Sequence, residues 1–355
     1  MIDELDLVAG EKPDVAPYSP AAKAAARRRL AEPSRRRSLP ALRLGRRPGL
    51  AVGGLAVGGL AVAAAVAVVT VVPAGPEGTL TPGAPVTASL PAITKMSAEE
   101  VLGRAARAVT DLHPRDDQFI EVRSQTMYGA FGGGGVSEGA GQAEPETRYL
   151  YRSRRTIWLS ADGTRPGALK IEYLAPRAYP GWPIPEEAHR QQGTTWALLP
   201  ACDQTKETAY THLKGLPSDP DGMRAYLYGR NPGDNPPDVA AWTAVGDLLR
   251  ENYLPAPQRA ALFKAAATIP GVTVTEDAED AAGRTGIGVG RVSNGVREDI
   301  VFDRGTYELL GERGIVVDEK EAKAPLGSLV ASTAQLEVTV ADVAPKVDDP
   351  NTGCG

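Results

Sequence analysis

The sequence predicts an α+β protein: one transmembrane helix followed by an extracytoplasmic domain in which an antiparallel sheet is covered on one face by helices. Three observations carry this expectation. Residues 50–72 are uncharged throughout. From Gln118 the pattern changes to the period of two that belongs to strands. A block of helical periodicity between Ser218 and Ile269 then separates these strands from a second run of strand-like segments, Val272 to Val343. Strands, helices and strands again within about 250 residues fit one sheet packed on a helical layer rather than alternating βαβ units.

The chain opens with a basic arm, residues 1–49, which carries 11 basic and 6 acidic side chains, a net +5 against −10 for the remainder. Ser19-Pro20 reads as an N-cap followed by proline at the first helical position, opening an Ala- and Arg-rich helix that stops before Pro33. Between Lys23 and Arg47 ten basic residues face a single acid, Glu32. Leu50 to Val72 then comprises eight Val, seven Ala, four Gly, three Leu and one Thr. A helix of that length spans about 34 Å, enough for the ~30 Å hydrocarbon core of a bilayer. Basic flanks stay on the cytoplasmic side, so the N-terminus is expected inside and everything after Val72 outside the cell membrane. A cleaved signal peptide fits less well, because 49 residues precede the apolar run and Val72-Pro73-Ala74 is a poor cleavage site. Gly54-x-x-x-Gly58 places small residues one turn apart, the spacing that lets two helices approach closely in lipid.

Residues 73–96, rich in Pro, Gly, Thr and Ala, read as a linker. The outer domain, residues 97–347, begins at Ser97-Ala-Glu-Glu100, a capping box ahead of the helical stripe Val101, Leu102, Ala105, Val109 and Leu112. Gln118 to Tyr128 reads as a strand, Gly129 to Glu146 as a glycine-rich loop, Thr147 to Ser160 as a long strand, and Ala168 to Leu174 as a third. Residues 175–195 contain Pro176, Pro180, Pro183 and Pro185 and read as a long loop. Helices are expected over Met223–Tyr228, Val239–Asn252 and Pro255–Ile269, with Trp242, Val245, Leu248, Leu249, Leu262, Phe263 and Ala266 toward the sheet. Strands resume at Val272–Glu276, Thr285–Val292, Val296–Phe302, Tyr307–Val317 and Ser328–Val343. Residues 348–355 form a tail that holds Cys354; the other cysteine is Cys202. In an oxidising compartment such a pair is more often bridged than free, and closing about 150 residues contributes on the order of 4–5 kcal/mol in the chain-entropy model.

Candidate chemistry is sparse. Gly135-Val-Ser137-Glu-Gly139 matches the pattern of a nucleophile elbow but lacks the strand before and the helix after that strain the serine. Gly286-x-Gly288-x-Gly290 has the wrong spacing and context for a dinucleotide loop. His113, His189 and His212 are scattered without metal-ligand spacing. Asp219-Pro-Asp221-Gly222 resembles the start of a calcium loop without its later ligands, and helix capping accounts for it. Arg152, Arg154 and Arg155, on a strand with Tyr149, Tyr151 and Trp158, offer either an anion-binding face or ordinary exposed strand charges. No catalytic residue, metal ligand or cofactor is expected, and an acidic outer domain gives no support for nucleic acid binding.

Several stretches carry a resemblance. Tyr210 to Tyr228 (YTHLKGLPSDPDGMRAYLY), Ala241 to Gly271 (AWTAVGDLLRENYLPAPQRAALFKAAATIPG), Arg297 to Arg313 (REDIVFDRGTYELLGER) and the start Met1 to Leu30 resemble an actinobacterial family of single-span membrane proteins, named after a locus tag and often encoded beside extracytoplasmic-function sigma factors. The helix-then-meander start and the FDRGTYELLGER hairpin are also similar to lipoprotein-carrier half-barrels of the LolA/RseB type, whose curved antiparallel sheet encloses an apolar pocket. These likenesses imply a membrane-anchored, non-enzymatic sensing or binding protein, linked to envelope stress or a sigma factor. Its arm, residues 1–33, would meet a cytoplasmic regulatory protein. The alternative they imply is a carrier-like protein with an apolar or lipid ligand.

Overall fold

The computed structural model describes residues 85–108, 111–132, 146–202, 206–230, 233 and 235–348. Among them are ten strands: β1 (Ala92–Ile93), β2 (Phe119–Gly132), β3 (Thr147–Ser160), β4 (Gly167–Ala178), β5 (Gly193–Leu199), β6 (Thr273–Glu279), β7 (Thr285–Ser293), β8 (Val296–Phe302), β9 (Leu309–Val316) and β10 (Leu329–Ala341). They form one antiparallel sheet in the order β1-β6-β7-β8-β9-β10-β2-β3-β4-β5. Two runs of consecutive hairpins, β2 to β5 and β6 to β10, merge because β10 returns to lie beside β2, with Val338 opposite Val122 and a bulge between Gln335 and Glu337.

This corrects the expected α+β class. Among the described residues strands make up 40% and helices 24%, so the domain is mostly sheet. Three strands outrun their sequence signal. β2 continues through Gly132, β4 runs through Pro176 to Ala178, and β5 occupies the end of the stretch read as a loop. Each is held by cross-strand pairing, which overrides the local breaker signal of glycine and proline. Residues 85–93 belong to the sheet as well: Ala88 N–H donates to Gly327 O at 2.9 Å, and Ala92 and Ile93 pair with Glu276 and Thr275. No helix among the described residues is long and apolar enough to cross a membrane. The expected span, Leu50 to Val72 with Gly54 and Gly58, lies outside the described residues, as do the arm, Ser137 and Cys354.

The described helices are α1 (Ala98–Ala108), α2 (Glu186–Arg190), α3 (Tyr210–Leu213), α4 (Pro220–Gly229), α5 (Pro237–Leu249), α6 (Ala256–Ala266) and α7 (Glu319–Ala322). The starts of α1, α4 and α7 follow from side-chain capping, and α5 and α6 carry proline in their first turn. Glu100 N–H donates to Ser97 Oγ at 3.0 Å, and Gly222 N–H donates to Asp219 Oδ1 at 2.8 Å ahead of Pro220. α1, α4, α5 and α6 bury Leu102, Leu227, Val245, Leu249 and Leu262 against Val274, Val289, Ile300 and Phe302 of β6–β8. Each such burial contributes roughly 1.5–3 kcal/mol. Phe263 meets Phe302 edge to face, with ring centroids 5.4 Å apart. A second apolar cluster joins Ile120, Val122, Ile157, Leu159 and Val338 to Tyr210 and Tyr253, whose rings stack at 5.3 Å.

The opposite face of β7–β9 buries charge. Asp299 lies 2.8 Å from Arg297 Nε and accepts from Arg313 Nε at 3.0 Å, and the three side chains are at most 3% exposed. Gly288 and Gly290 make room for it, since a Cβ on Gly288 would stand 2.9 Å from Asp299 Cγ and one on Gly290 2.5 Å from Asp299 Oδ1. The Gly286-x-Gly288-x-Gly290 run is therefore a packing feature of β7.

Candidate functional site

Between the two apolar clusters, on the helix-bearing face, lies a band of polar and tyrosine side chains. The end of α5 builds its floor. The helix stops at Leu249, and the next four residues each take a different partner. Arg250 Nε and Nη2 both donate to Glu312 Oε2, at 2.9 and 2.7 Å, while its Nη1 donates to Asp247 Oδ1 at 3.2 Å. Glu251 accepts from Arg155 Nε at 2.8 Å and from Arg155 Nη2 at 3.0 Å, and Ser124 Oγ donates to it at 3.0 Å. Asn252 Nδ2 donates to Asp247 O at 2.6 Å, which satisfies one of the carbonyls a helix end leaves open. Tyr253 OH bonds Asp111 and the backbone of Leu112. Glu251 has φ 55°, a left-handed conformation that costs a non-glycine residue about 1–2 kcal/mol. The bidentate ion pair holds it there.

Glu312 enters from β9, where Gly311 is needed because a Cβ would stand 2.1 Å from Thr333 O. Across the interface Gly246 lets α5 come close, its missing Cβ lying 3.2 Å from Glu312 Oε1. That oxygen has no hydrogen-bond partner, and neither do Nε and Nη1 of Arg291, which stands opposite Glu298 in the β7–β8 pairing. Burial pushes the Glu298 and Asp247 carboxyls above their usual range. Burial pushes Glu312 upward too, while the Glu312 charge holds Arg250 firmly protonated. We take Glu312 as ionised, because two guanidinium N–H groups converge on its Oε2.

Above this floor stand four tyrosines from three strands. Tyr128 on β2 lies opposite Tyr151 on β3, with ring centroids 5.8 Å apart. Tyr149 and Tyr173 lie close enough to Tyr151 to raise its phenol, although burial is the larger cause. Tyr128 is the deepest, its phenol raised by burial and set beside Arg250, Glu312 and Glu251. All four side chains are half-buried.

Neither a comparison with protein-family models nor one with curated proteins finds a match. What the band can do is therefore read from its chemistry. It holds four carboxylates, Asp247, Glu251, Glu298 and Glu312, against three guanidiniums, Arg155, Arg250 and Arg291, so it is close to neutral. Among the described residues no group of three His, Cys, Asp or Glu side chains could hold a metal ion. His113 is exposed and 3.8 Å from Asp111, and neither His189 on α2 nor His212 on α3 enters the band.

The strand face expected from Arg152, Arg154, Arg155, Tyr149, Tyr151 and Trp158 is divided by its own alternation. Arg155, Tyr149 and Tyr151 face the band; Arg152, Arg154 and Trp158 lie on the other side of β3, where Arg154 sits 3.8 Å from Glu172 and Trp158 donates to Glu121 at 3.0 Å. Cys202 is disulfide-bonded. Sequence reading missed Glu251, Arg250 and Glu312. The signal available was a run of charges, Asp247 to Glu251, at the end of an apolar helix, and Glu312-Arg313 flanked by glycines inside an apolar strand.

Proposed function

We infer that the chain is a membrane-anchored binding protein whose outer domain recognises a ligand at the tyrosine-lined band and takes no part in catalysis. The observation that carries this reading is the grouping of four half-buried tyrosines from three neighbouring strands above a floor of buried ion pairs. Tyrosine offers an apolar ring with a hydroxyl at its edge, which suits a molecule with one apolar or planar face and hydrogen-bonding groups. The tether is the uncharged run Leu50 to Val72, with the basic flank inside. Ligand binding outside would be reported through the arm, residues 1–33, to a cytoplasmic regulatory protein, in line with the sigma-factor-linked family the sequence resembles.

The carrier reading draws less support. A carrier holds an apolar space between helices and sheet, and here that space contains Leu102, Leu249, Leu262 and Phe302 on one side and ion pairs on the other. The test is native mass spectrometry of the full chain purified in detergent, beside its Tyr151→Ala variant. A co-purifying mass that is depleted in the variant is expected; a bare chain mass from both proteins contradicts recognition at this band.

A further inference from the structure

The two ends of the sheet are unequal. One end is β1, two residues long; the other is β5, seven residues that pair with β4 along their whole length on one side only. Gly193, Thr194, Thr195 and Trp196 are all exposed, Trp196 at 46%. Natural edge strands are usually blunted by charge, proline, a bulge or a covering segment, because their free N–H and C=O groups template further pairing. β5 has no charge, proline or bulge within Gly193–Leu199, and among the described residues no strand pairs with its outer edge.

We propose that β5 is the interface of a symmetric homodimer, in which the β5 strands of two copies pair antiparallel and extend the sheet across the two-fold axis. The strand suits itself as a partner. Full overlap of the seven residues puts Trp196 opposite its own copy, Thr195 opposite Ala197 and Thr194 opposite Leu198. No charge then faces a like charge, and an aromatic pair sits at the centre, the kind of cross-strand contact that favours pairing. Trp196 already stacks on Trp158 with centroids 6.0 Å apart at 16°, so pairing would align two such stacks across the axis. A sequence feature points the same way: Gly54-x-x-x-Gly58 has the spacing of self-associating helices. Two self-complementary contacts on one chain reinforce each other through effective concentration.

The test uses the full chain in detergent. The dimer mass is expected by analytical ultracentrifugation, with slow amide exchange across residues 193–199. Trp196→Cys should form a disulfide-linked dimer with itself on mild oxidation, whereas Asn294→Cys, in an exposed turn, should not. Trp196→Lys, and separately Thr195→Lys, should raise the dimer Kd at least about tenfold, because each sets a charge into an uncharged edge. In the Gly54→Leu/Gly58→Leu background the Trp196→Cys cross-link should persist. A chain that stays monomeric at concentrations on the order of 100 µM, where even weak contacts register, overturns the proposal. So does a dimer indifferent to both lysine variants, or protected 193–199 amides in a particle of monomer mass, which would assign the edge to another segment of the same chain.

Discussion

Glu251 shows how a single residue is held against its own preference. Its φ of 55° is one that glycine adopts freely, yet its carboxylate takes both donors of Arg155 and the hydroxyl of Ser124. Side-chain exposure is 12% for Glu251 and 27% for Arg155, so the pair is partly shielded from water. Glu251→Gln should lower unfolding stability by about 2 kcal/mol, the scale of hydrogen bonds to charged groups, read from the urea midpoint at constant m. Glu298 gives a residue-scale pH prediction. Its carboxyl is raised above the ordinary value of 4.5 by burial, so the folded state binds the proton more tightly than the unfolded chain. The stability this gives is present below pH 4.5 and is lost as pH rises through the folded value. Glu298→Gln should flatten that slope and leave the protein more stable than the parent at pH 7; an unchanged slope would show that Glu298 does not titrate abnormally.

At the scale of elements, the helical layer was legible because its signals are local. Ser97 and Asp219 cap where the sequence says they do, and the apolar spacing of α5 and α6 identifies the side chains that meet the sheet. Leu262, fully buried between α6 and its neighbours, should cost 2–5 kcal/mol as Leu262→Ala, measured by denaturant unfolding. The strands were legible in position and not in length, since β2, β4 and β5 are extended by partners distant in sequence. The glycines of β7 illustrate a motif whose meaning lies in its neighbours. Their spacing is wrong for a nucleotide loop, and what Gly288 and Gly290 accommodate is the Asp299 ion cluster on the adjoining strand. Gly288→Ala would press a methyl to 2.6 Å from Thr275 Oγ1 and 2.9 Å from Asp299 Cγ. Overpacking of this kind should lower stability by about 1–3 kcal/mol, with the far-ultraviolet spectrum retained. The band itself was half legible: Tyr149, Tyr151 and Arg155 stood out on one strand, while Glu251 and Glu312 acquire their role only when α5 and β9 are brought together.

The whole domain depends on one long-range closure, β10 against β2, which joins strands more than 200 residues apart in sequence through Val338–Val122 and Thr333–Thr126. Local alternation cannot encode that pairing, and this is why the sequence suggested a sheet with helices while the chain forms ten strands in one sheet. Thr333 stands opposite Thr126 in that join and opposite Glu312 in the neighbouring β9–β10 pairing, where the Glu312 backbone N–H donates to Thr333 Oγ1 at 3.0 Å, so the join and the candidate site share a side chain. We propose a topology in which Leu50 to Val72 carries this domain outside the cell, with the arm inside. Its most direct measurement is labelling by a membrane-impermeant maleimide of two single-site variants, Asn294→Cys in the exposed β7–β8 turn and Ser34→Cys in the arm, with the parent chain as background. Asn294→Cys should be modified in intact cells and Ser34→Cys only once the membrane is opened. Modification of Asn294→Cys only after lysis would contradict it.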